Sequence, residues 1–452
     1  HGTKSSVWCS GGVTNSFDTL MGLKQGCLLS PLLFSLFIDD IQAYIGGGLL
    51  FNNFKVNCLL YADDLVMLAD DKLTLQYMIN RLNSYCQLWN LTVNLQKSKI
   101  VIFRRGGRQA RDEKWKLGSN QIEVTNKYKY LGVVLTSQLS FSSHLEDKLS
   151  IAKFGILNTW RTFINKRGVP LSAKMKVFCA AIRAVISYAA EIWGFKRYDV
   201  VEKLNRFVLK RLLFAPNSTP DYALFLESGV TEIFPHTLRL LCNYLNKVSG
   251  LPADRLPNKV MREVMCKKIF WLKGLIELEE KYNINARVCD CLWQGGLMKW
   301  LNELLPRIEE ANKNYYLLRA SNAKRHLLYK KLNPLLGDNT YFSDKYDTNV
   351  ISIISKTRVE ALNLNYKPWN LKVSPDASQL CSLGNLNVTE NCFHFLAKCP
   401  ILKHYRIQYF NKESLTEEEL ISVLNGSNWL TLYKYVLYSK KYRDLLVQEF
   451  NY

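Results

Sequence analysis

Two groups of residues in this 452-residue chain are of a type and spacing that does chemistry. The first is Tyr61-Ala62-Asp63-Asp64, set between the apolar runs at residues 54–60 and 65–68. An apolar run, a polar tip and a second apolar run make the pattern of a β-hairpin, which raises two adjacent carboxylates on a stiff base. Such a pair repels itself unless a cation neutralises it, and oxygen ligands on a rigid turn suit Mg²⁺. Aspartate is also a common turn residue for local hydrogen-bonding reasons, so an ordinary solvated turn is the competing reading. The second group is Cys381, Cys392, His394 and Cys399, all within nineteen residues. Cys381, His394 and Cys399 run like a zinc knuckle of the form Cys-x₂-Cys…His-x₄-Cys, with Gly384 at the second cysteine position. A tetrahedral Zn²⁺ site then needs Cys392 or a water as its fourth ligand, and a degenerate, metal-free segment is the alternative. Lys398, Lys403, His404 and Arg406 lie close by and suit phosphate contacts.

The elements that position these groups follow from periodicity. Residues 21–103 alternate short apolar runs with helical patterns: an apolar helix over 31–44, a Gly46-Gly47-Gly48 break, then the two β-rich pieces around Asp63-Asp64. Over residues 73–91, Leu75, Met78, Ile79, Leu82, Tyr85, Cys86 and Trp89 recur at helical spacing, which predicts an amphipathic helix. Lys99-Ile100-Val101-Ile102-Phe103 predicts a strand. Residues 97–116 form a basic loop or linker made flexible by Gly106-Gly107, and the neighbouring Phe103 and Trp115 lean it slightly towards nucleic-acid contact. A β-rich segment over 122–135 leads into a helical body over 143–370, with breaks at Pro170, Pro216, Pro220, Pro235 and Pro252. The tail is aromatic and basic in Tyr433-Lys434-Tyr435 and Tyr438-Ser439-Lys440-Lys441-Tyr442-Arg443.

Composition bounds the answer. The length allows two to four domains at roughly 100–200 residues each. An apolar share of 48% against 22% charged excludes a disordered tail protein. No stretch approaches the ~20 apolar residues that span a bilayer, and no basic n-region with an apolar core opens the chain, so an intracellular location is expected. Twelve irregularly spaced cysteines read as reduced core thiols in a reducing compartment. A formal net charge of +21 draws polyanions and makes nucleic acid the leading partner, with an ordinary basic surface an equal reading on charge alone.

Gly22-Leu23-Lys24-Gln25-Gly26-Cys27-Leu28-Leu29-Ser30-Pro31-Leu32-Leu33-Phe34 and Leu36-Phe37-Ile38-Asp39-Asp40, followed by Tyr61-Ala62-Asp63-Asp64, closely resemble the reverse transcriptases of non-LTR (LINE-type) retrotransposons. Asn94-Leu95-Gln96-Lys97-Ser98 looks like the family's lysine-bearing motif, and Tyr128-Lys129-Tyr130-Leu131-Gly132 like its primer-grip region. Residues 182–194 and 220–229 resemble the helical thumb and connection of arthropod elements. The resemblance covers roughly residues 20–235 and 375–410.

It implies an α+β fold: a partial right-hand polymerase palm, a mostly α-helical thumb and connection, and a small Cys/His-containing C-terminal region. The segments expected are a palm over 1–105, a basic linker with the primer-grip-like piece over 106–142, a thumb-like region over 143–250, a connection over 251–374 and the C-terminal region over 375–452. The implied activity is RNA-directed DNA polymerisation by two-metal nucleotidyl transfer with Mg²⁺ or Mn²⁺. Asp63 is the expected direct metal ligand, Asp64 assists it, and Tyr61 lies near the primer end. Gln25 and Gly26 approach template and incoming nucleotide, and Lys97 sits over the nucleotide phosphates, although a solvated lysine is a close rival. The implied partners are an RNA template, a DNA primer or target and deoxynucleoside triphosphates, with no membrane, in the nucleus or a cytoplasmic ribonucleoprotein. Family polymerases take a further metal-binding aspartate from an upstream strand, and this sequence begins after that point. Asp18 lies too close to Gln25 to replace it. A truncated and therefore inactive or weak polymerase is the expectation. The rival readings are a non-catalytic nucleic-acid-binding remnant and a group II intron maturase-like protein.

Overall fold

A computed structural model of the chain describes residues 3–19, 22, 26–51, 53–104, 106–107, 113–166, 168–332, 340–366, 379–383, 387–426 and 428–450. The chain divides into two units, His1–Ser140 and Phe141–Tyr452. The first is mixed α/β, the second almost wholly helical.

In the first unit β1 (Thr3–Ser5), β2 (Trp8–Cys9), β3 (Gly12–Val13) and β4 (Phe17–Thr19) pair as β1 with β4 and β2 with β3. Then come α1 (Ser30–Phe37), α2 (Ile41–Ile45), β5 (Leu49–Leu50), β6 (Lys55–Val56), β7 (Cys58–Tyr61), β8 (Asp64–Met67) and α3 (Lys72–Leu88). The unit ends with β9 (Lys99–Ile100), β10 (Trp115–Leu117), β11 (Asn120–Val124), β12 (Lys127–Tyr130) and β13 (Val133–Thr136). Among the described residues these strands form separate two- and three-stranded ladders and no continuous sheet.

Helix α3 organises this unit. Asp71 caps it from an extended conformation, accepting hydrogen bonds from the Thr74 amide at 2.8 Å and hydroxyl at 2.5 Å. The expected helical periodicity then buries two sets of side chains. Met78, Leu82, Tyr85 and Cys86 pack with Ile38, Ile41 and Ile45, and Ile79 packs with Ile100, Trp115 and Ile122.

Three details differ from the sequence reading. The helix expected over 31–44 breaks between α1 and α2, because adjacent aspartates favour a turn and Asp40 accepts the Tyr85 hydroxyl at 2.5 Å. The strand expected over 99–103 stops at Ile100, after which the Arg104 amide turns to the Ser137 carbonyl at 3.0 Å. Trp115 is a core residue, with its indole donating to the Lys72 carbonyl at 3.2 Å, and offers no stacking face.

The second unit runs through α4 (Ser142–Thr159), α5 (Leu171–Val177), α6 (Ala184–Ile186), α7 (Ala190–Trp193), α8 (Asp199–Leu212) and α9 (Asp221–Ser228). It continues with α10 (Phe234–Ser249), α11 (Leu256–Lys267), α12 (Trp271–Lys281), α13 (Val288–Gln294), α14 (Leu297–Ser321), α15 (Leu327–Lys331) and α16 (Thr348–Arg358), and ends with α17 (Lys403–Phe410), α18 (Glu417–Asn425) and α19 (Trp429–Phe450). Prolines mark helix starts as expected: Pro170 and Pro220 precede α5 and α9, and Pro235 sits in the first turn of α10. One core gathers α10 to α13 around the first half of α14; the other joins α4 to α9 with the far end of α14, α16 and the C-terminal helices. Helix α14 thus serves both, through Trp300 and Leu304 in one and Tyr316 and Ala320 in the other. Among the described residues no helix is long and apolar enough to cross a membrane.

Candidate functional site

Strands β7 and β8 pair from Cys58↔Met67 to Tyr61↔Asp64, leaving Ala62 and Asp63 as a two-residue turn. Ala62 takes a positive φ of 53° to turn the chain, and Asp63 does not. Below the tip, Leu65 and Met67 pack against the α3 core. The base is fastened by Asn57, whose carbonyl accepts the Leu68 amide at 2.8 Å and whose side-chain amide donates to the carbonyls of Gln42 at 2.7 Å and Gly46 at 3.2 Å. Gly48 is required beside it: at φ 115°, a Cβ there would stand 2.7 Å from the Asn57 Cα. The anchored hairpin holds Tyr61, Asp63 and Asp64 exposed at its tip.

Two further motifs lie in the same unit as this hairpin. β12 and β13 turn through Leu131 and Gly132, both at positive φ (45° and 77°), so that Tyr128 and Tyr130 share one face of β12. The Tyr128 hydroxyl donates to the Lys97 carbonyl at 3.0 Å. Burial, and after it the Asp64 charge, pushes the Tyr130 phenol above its ordinary value. The Lys97 turn is shaped by Asn94, whose side-chain oxygen accepts the Lys97 amide at 3.2 Å and whose carbonyl accepts the Ser98 amide at 2.9 Å. The Lys97 side chain is exposed. Gly26 sits at φ 84° with open space where a Cβ would be. Gln25 lies outside the described residues. Tyr128 and Tyr130 belong to the segment that resembles the primer grip, and their spacing of two puts both on one face of the strand. Asp18 pairs with Lys4 in the exposed β1–β4 ladder, and Asp40 is occupied by Tyr85.

In the second unit Cys381, His394 and Cys399, all buried, bring one ligand atom each within 4.8 Å of one another. Cys381 lies on the short bridge Leu380↔Thr389, its amide bonded to the Val388 carbonyl at 2.8 Å. His394 opens a π-helical turn, His394–Lys398, and the Cys399 amide closes it on the His394 carbonyl at 2.8 Å. The two sulfur atoms are 4.0 Å apart. The hydrogen bond from Cys381, with the backbone amides of Ile401 and Leu402 and the charge of Arg406, brings the Cys399 thiol down to about 7 against the opposing effect of burial. The buried His394 Nε2 has no hydrogen-bond partner. A buried thiol of thiolate character, a second thiol and an unpartnered imidazole nitrogen form a donor set that fits Zn²⁺. The sequence reading offered Cys392 as a ligand, and this is corrected: Cys392 does not converge with the other three, and its thiol is wholly buried beside the Leu362 amide. Gly384 lies outside the described residues.

The family model for reverse transcriptase (RNA-dependent DNA polymerase) matches residues 7–135. Over 276 residues the chain is 24% identical to a probable RNA-directed DNA polymerase from transposon X-element of Drosophila melanogaster, covering 58% of this chain and 30% of that protein. It is 25% identical over 227 residues to the RNA-directed DNA polymerase from mobile element jockey of Drosophila funebris, covering 47% and 23%. It is 30% identical over 258 residues to the Pol polyprotein from type-1 retrotransposable element R2 of Popillia japonica, covering 52% and 34%. The chain therefore spans about a third or less of the length of these relatives. The hairpin, the Lys97 turn and the Tyr128 strand all fall inside the matched region, and on that ground residues 7–135 are a reverse transcriptase domain, distantly homologous to the reverse transcriptases of insect non-LTR retrotransposons.

Proposed function

We propose that the 61–64 hairpin is the catalytic tip of an RNA-directed DNA polymerase palm acting on an RNA template, a DNA primer and deoxynucleoside triphosphates. The observation that carries this reading is that the carboxylate hairpin, the Lys97 turn and the Tyr128 strand all fall inside the residues that match that family. Asp63 and Asp64 offer only oxygen donors from a rigid, exposed turn, which fits Mg²⁺ or Mn²⁺. Bound there, such ions activate a primer hydroxyl and neutralise nucleotide phosphates. Asp63 is the principal ligand and Asp64 its assistant. Tyr61, 65% exposed, lies beside the primer end. Gln25 and Gly26 receive template and nucleotide, the glycine because nothing projects from its backbone. Lys97 supplies a positive charge to the nucleotide phosphates. Cys381, His394 and Cys399 would hold a Zn²⁺ that ties the π-helical turn to the bridge at Leu380.

One observation favours a second reading, nucleic-acid binding with little or no polymerisation: among the described residues no third carboxylate converges on Asp63 and Asp64. Primer extension on an RNA template, in Mg²⁺ and separately Mn²⁺, decides between them. Extension that disappears in Asp63→Asn supports the polymerase; salt-sensitive RNA binding without product in either metal leaves the binding reading.

A further inference from the structure

The aromatic and basic tail parts into two sets on α19. Tyr435 and Arg443 turn inward: the Tyr435 hydroxyl donates to the Leu396 carbonyl at 2.5 Å, and the Arg443 guanidinium to the Glu390 carboxylate at 2.6 Å. Lys434, Tyr438, Lys441 and Tyr442 recur at spacings of three and four and share another face of the helix. Tyr438 is 46% exposed, and Lys434 and Lys441 are exposed on either side of it along the helix.

Helix α17 continues this face with further rings. Tyr409 stands 6.4 Å from Tyr438, centre to centre, with the ring planes 9° apart, and Tyr405 stands 5.8 Å from Tyr442. His404, exposed, is 5.4 Å from Tyr442. Tyr405, Tyr409 and Tyr442 rest partly on the core, which fixes the row. Packing between two helices accounts for those three rings. It does not account for a tyrosine nearly half exposed between two lysines, nor for the hydroxyls of all four tyrosines, which make no hydrogen bond among the described residues.

The charge on this face is not neutralised from within. Asp444, one turn beyond Lys441, is held by Lys440 at 2.5 Å and Arg443 at 3.0 Å. Glu413, just past α17, is held by Lys403 at 2.7 Å. Lys434 and Lys441 make no ion pair among the described residues, so both remain available to an outside anion.

An exposed ring face rewards a flat π-system, and two unpaired lysines reward a polyanion. A single-stranded nucleic acid offers both along its length, whereas a duplex hides its base faces and an acidic peptide has none. We infer that this face of α19, with α17 beside it, binds single-stranded nucleic acid, a base stacking on Tyr438 and the flanking phosphates meeting Lys434 and Lys441. The inference goes beyond the polymerase reading and needs no catalysis at the hairpin. Ribose and deoxyribose strands share the chemistry, and the test separates them.

The test measures fluorescence anisotropy of labelled oligouridylate, oligothymidylate and an abasic deoxyribose strand of equal length with the full chain. Tyr438→Leu keeps an apolar cover and removes the ring. It should weaken binding of the base-bearing strands about fivefold or more and leave the abasic strand unchanged. Tyr438→Phe, and Tyr244→Leu at a comparably exposed tyrosine on α10, should bind like wild type. Lys434→Ala/Lys441→Ala removes two phosphate contacts and should flatten the salt slope by about 1.4, whereas Lys247→Ala/Lys273→Ala on α10 and α12 should keep it. A strand bearing 5-iodouracil, photocrosslinked to the full chain, should leave its adduct within residues 434–442. Loss on both base-bearing strands assigns the shared chemistry, and loss on one alone assigns RNA or DNA. Equal losses in Tyr438→Leu and Tyr244→Leu, the same loss on the abasic strand, no adduct on this face, or displacement by polyglutamate as readily as by oligouridylate overturns the inference. Because the readout is binding, a dead polymerase hairpin leaves the result unchanged.

Discussion

The Tyr128 hydroxyl donates a 3.0 Å hydrogen bond to the Lys97 carbonyl, while Tyr130, two residues along the same strand, stands within electrostatic reach of Asp64. Tyr128 on β12 therefore braces the lysine turn, and Tyr130 on the same face feels the Asp64 charge. The three pieces are far apart in sequence and short, so none could hold this arrangement alone. The rigidity comes from α3, against which the hairpin packs through Leu65 and Met67.

Tyr128→Phe keeps the ring and removes that bond. The expected cost is about 1 kcal/mol, the net worth of one such hydrogen bond. Urea denaturation of the full chain measures it, and amide exchange at Lys97 and Ser98 should quicken in the variant. Unchanged exchange at both amides would show that the turn stands on Asn94 without help from Tyr128.

Zinc content tests the tail. The wild-type chain should carry about one zinc per molecule by elemental analysis, held by three protein ligands with a water in the fourth position. His394→Ala and Cys399→Ser should each lose it, and Cys392→Ser should keep it. The reverse pattern would return Cys392 to the ligand set and remove Cys399.

What the sequence makes legible is what is local. The hairpin at Asp63-Asp64 is announced by flanking apolar runs, and α3 by its heptad-like spacing behind the Asp71 cap. The break after α1 is hidden because its partner, Tyr85, lies 45 residues beyond Asp40. The Asp64 charge on Tyr130 is hidden for the same reason, since Asp64 belongs to another ladder. Cys392 looks as good a ligand as Cys399 until the π-helical turn bonds the Cys399 amide to the His394 carbonyl and the Cys399 sulfur lies 4.0 Å from that of Cys381. The net charge of +21 forecasts a polyanion, yet which tail residues stay outside depends on the packing of α19, which turns Tyr435 inward and leaves Tyr438 exposed.

Glu360 makes stability fall with rising pH. Its folded value, about 7, lies above the ordinary carboxylate range, because burial outweighs the two amide bonds it accepts. The folded chain holds this proton where the unfolded chain has released it. The contribution is therefore full below about pH 4.5 and lost as pH rises through about 7, a change of about 3 kcal/mol at most. Glu202, raised by burial and then by the Glu232 charge, acts in the same direction. Glu360→Gln keeps an acceptor for Leu328 and Tyr329 and cannot ionise. Its loss of urea stability between about pH 5 and 8 should be roughly half that of wild type, and an identical loss would show that Glu360 does not titrate there.

Arg358 and Glu227 form an ion pair with side chains only 3% and 0% exposed, the Arg358 Nε donating at 2.8 Å to the carboxylate. Through it α16 is joined to α9, and Arg358 also donates to the Leu424 carbonyl at the end of α18. Arg358→Met leaves a buried carboxylate facing the Tyr341 hydroxyl without its cation. An uncompensated buried charge costs about 3–5 kcal/mol. In a unit of this size the melting temperature should fall by roughly 10 °C. Arg358→Met combined with Glu227→Leu removes both charges and should recover most of the loss, because apolar packing replaces a buried pair at little cost. If the double variant melts no higher than Arg358→Met alone, the damage lies in the severed contact with α18 and not in the stranded charge.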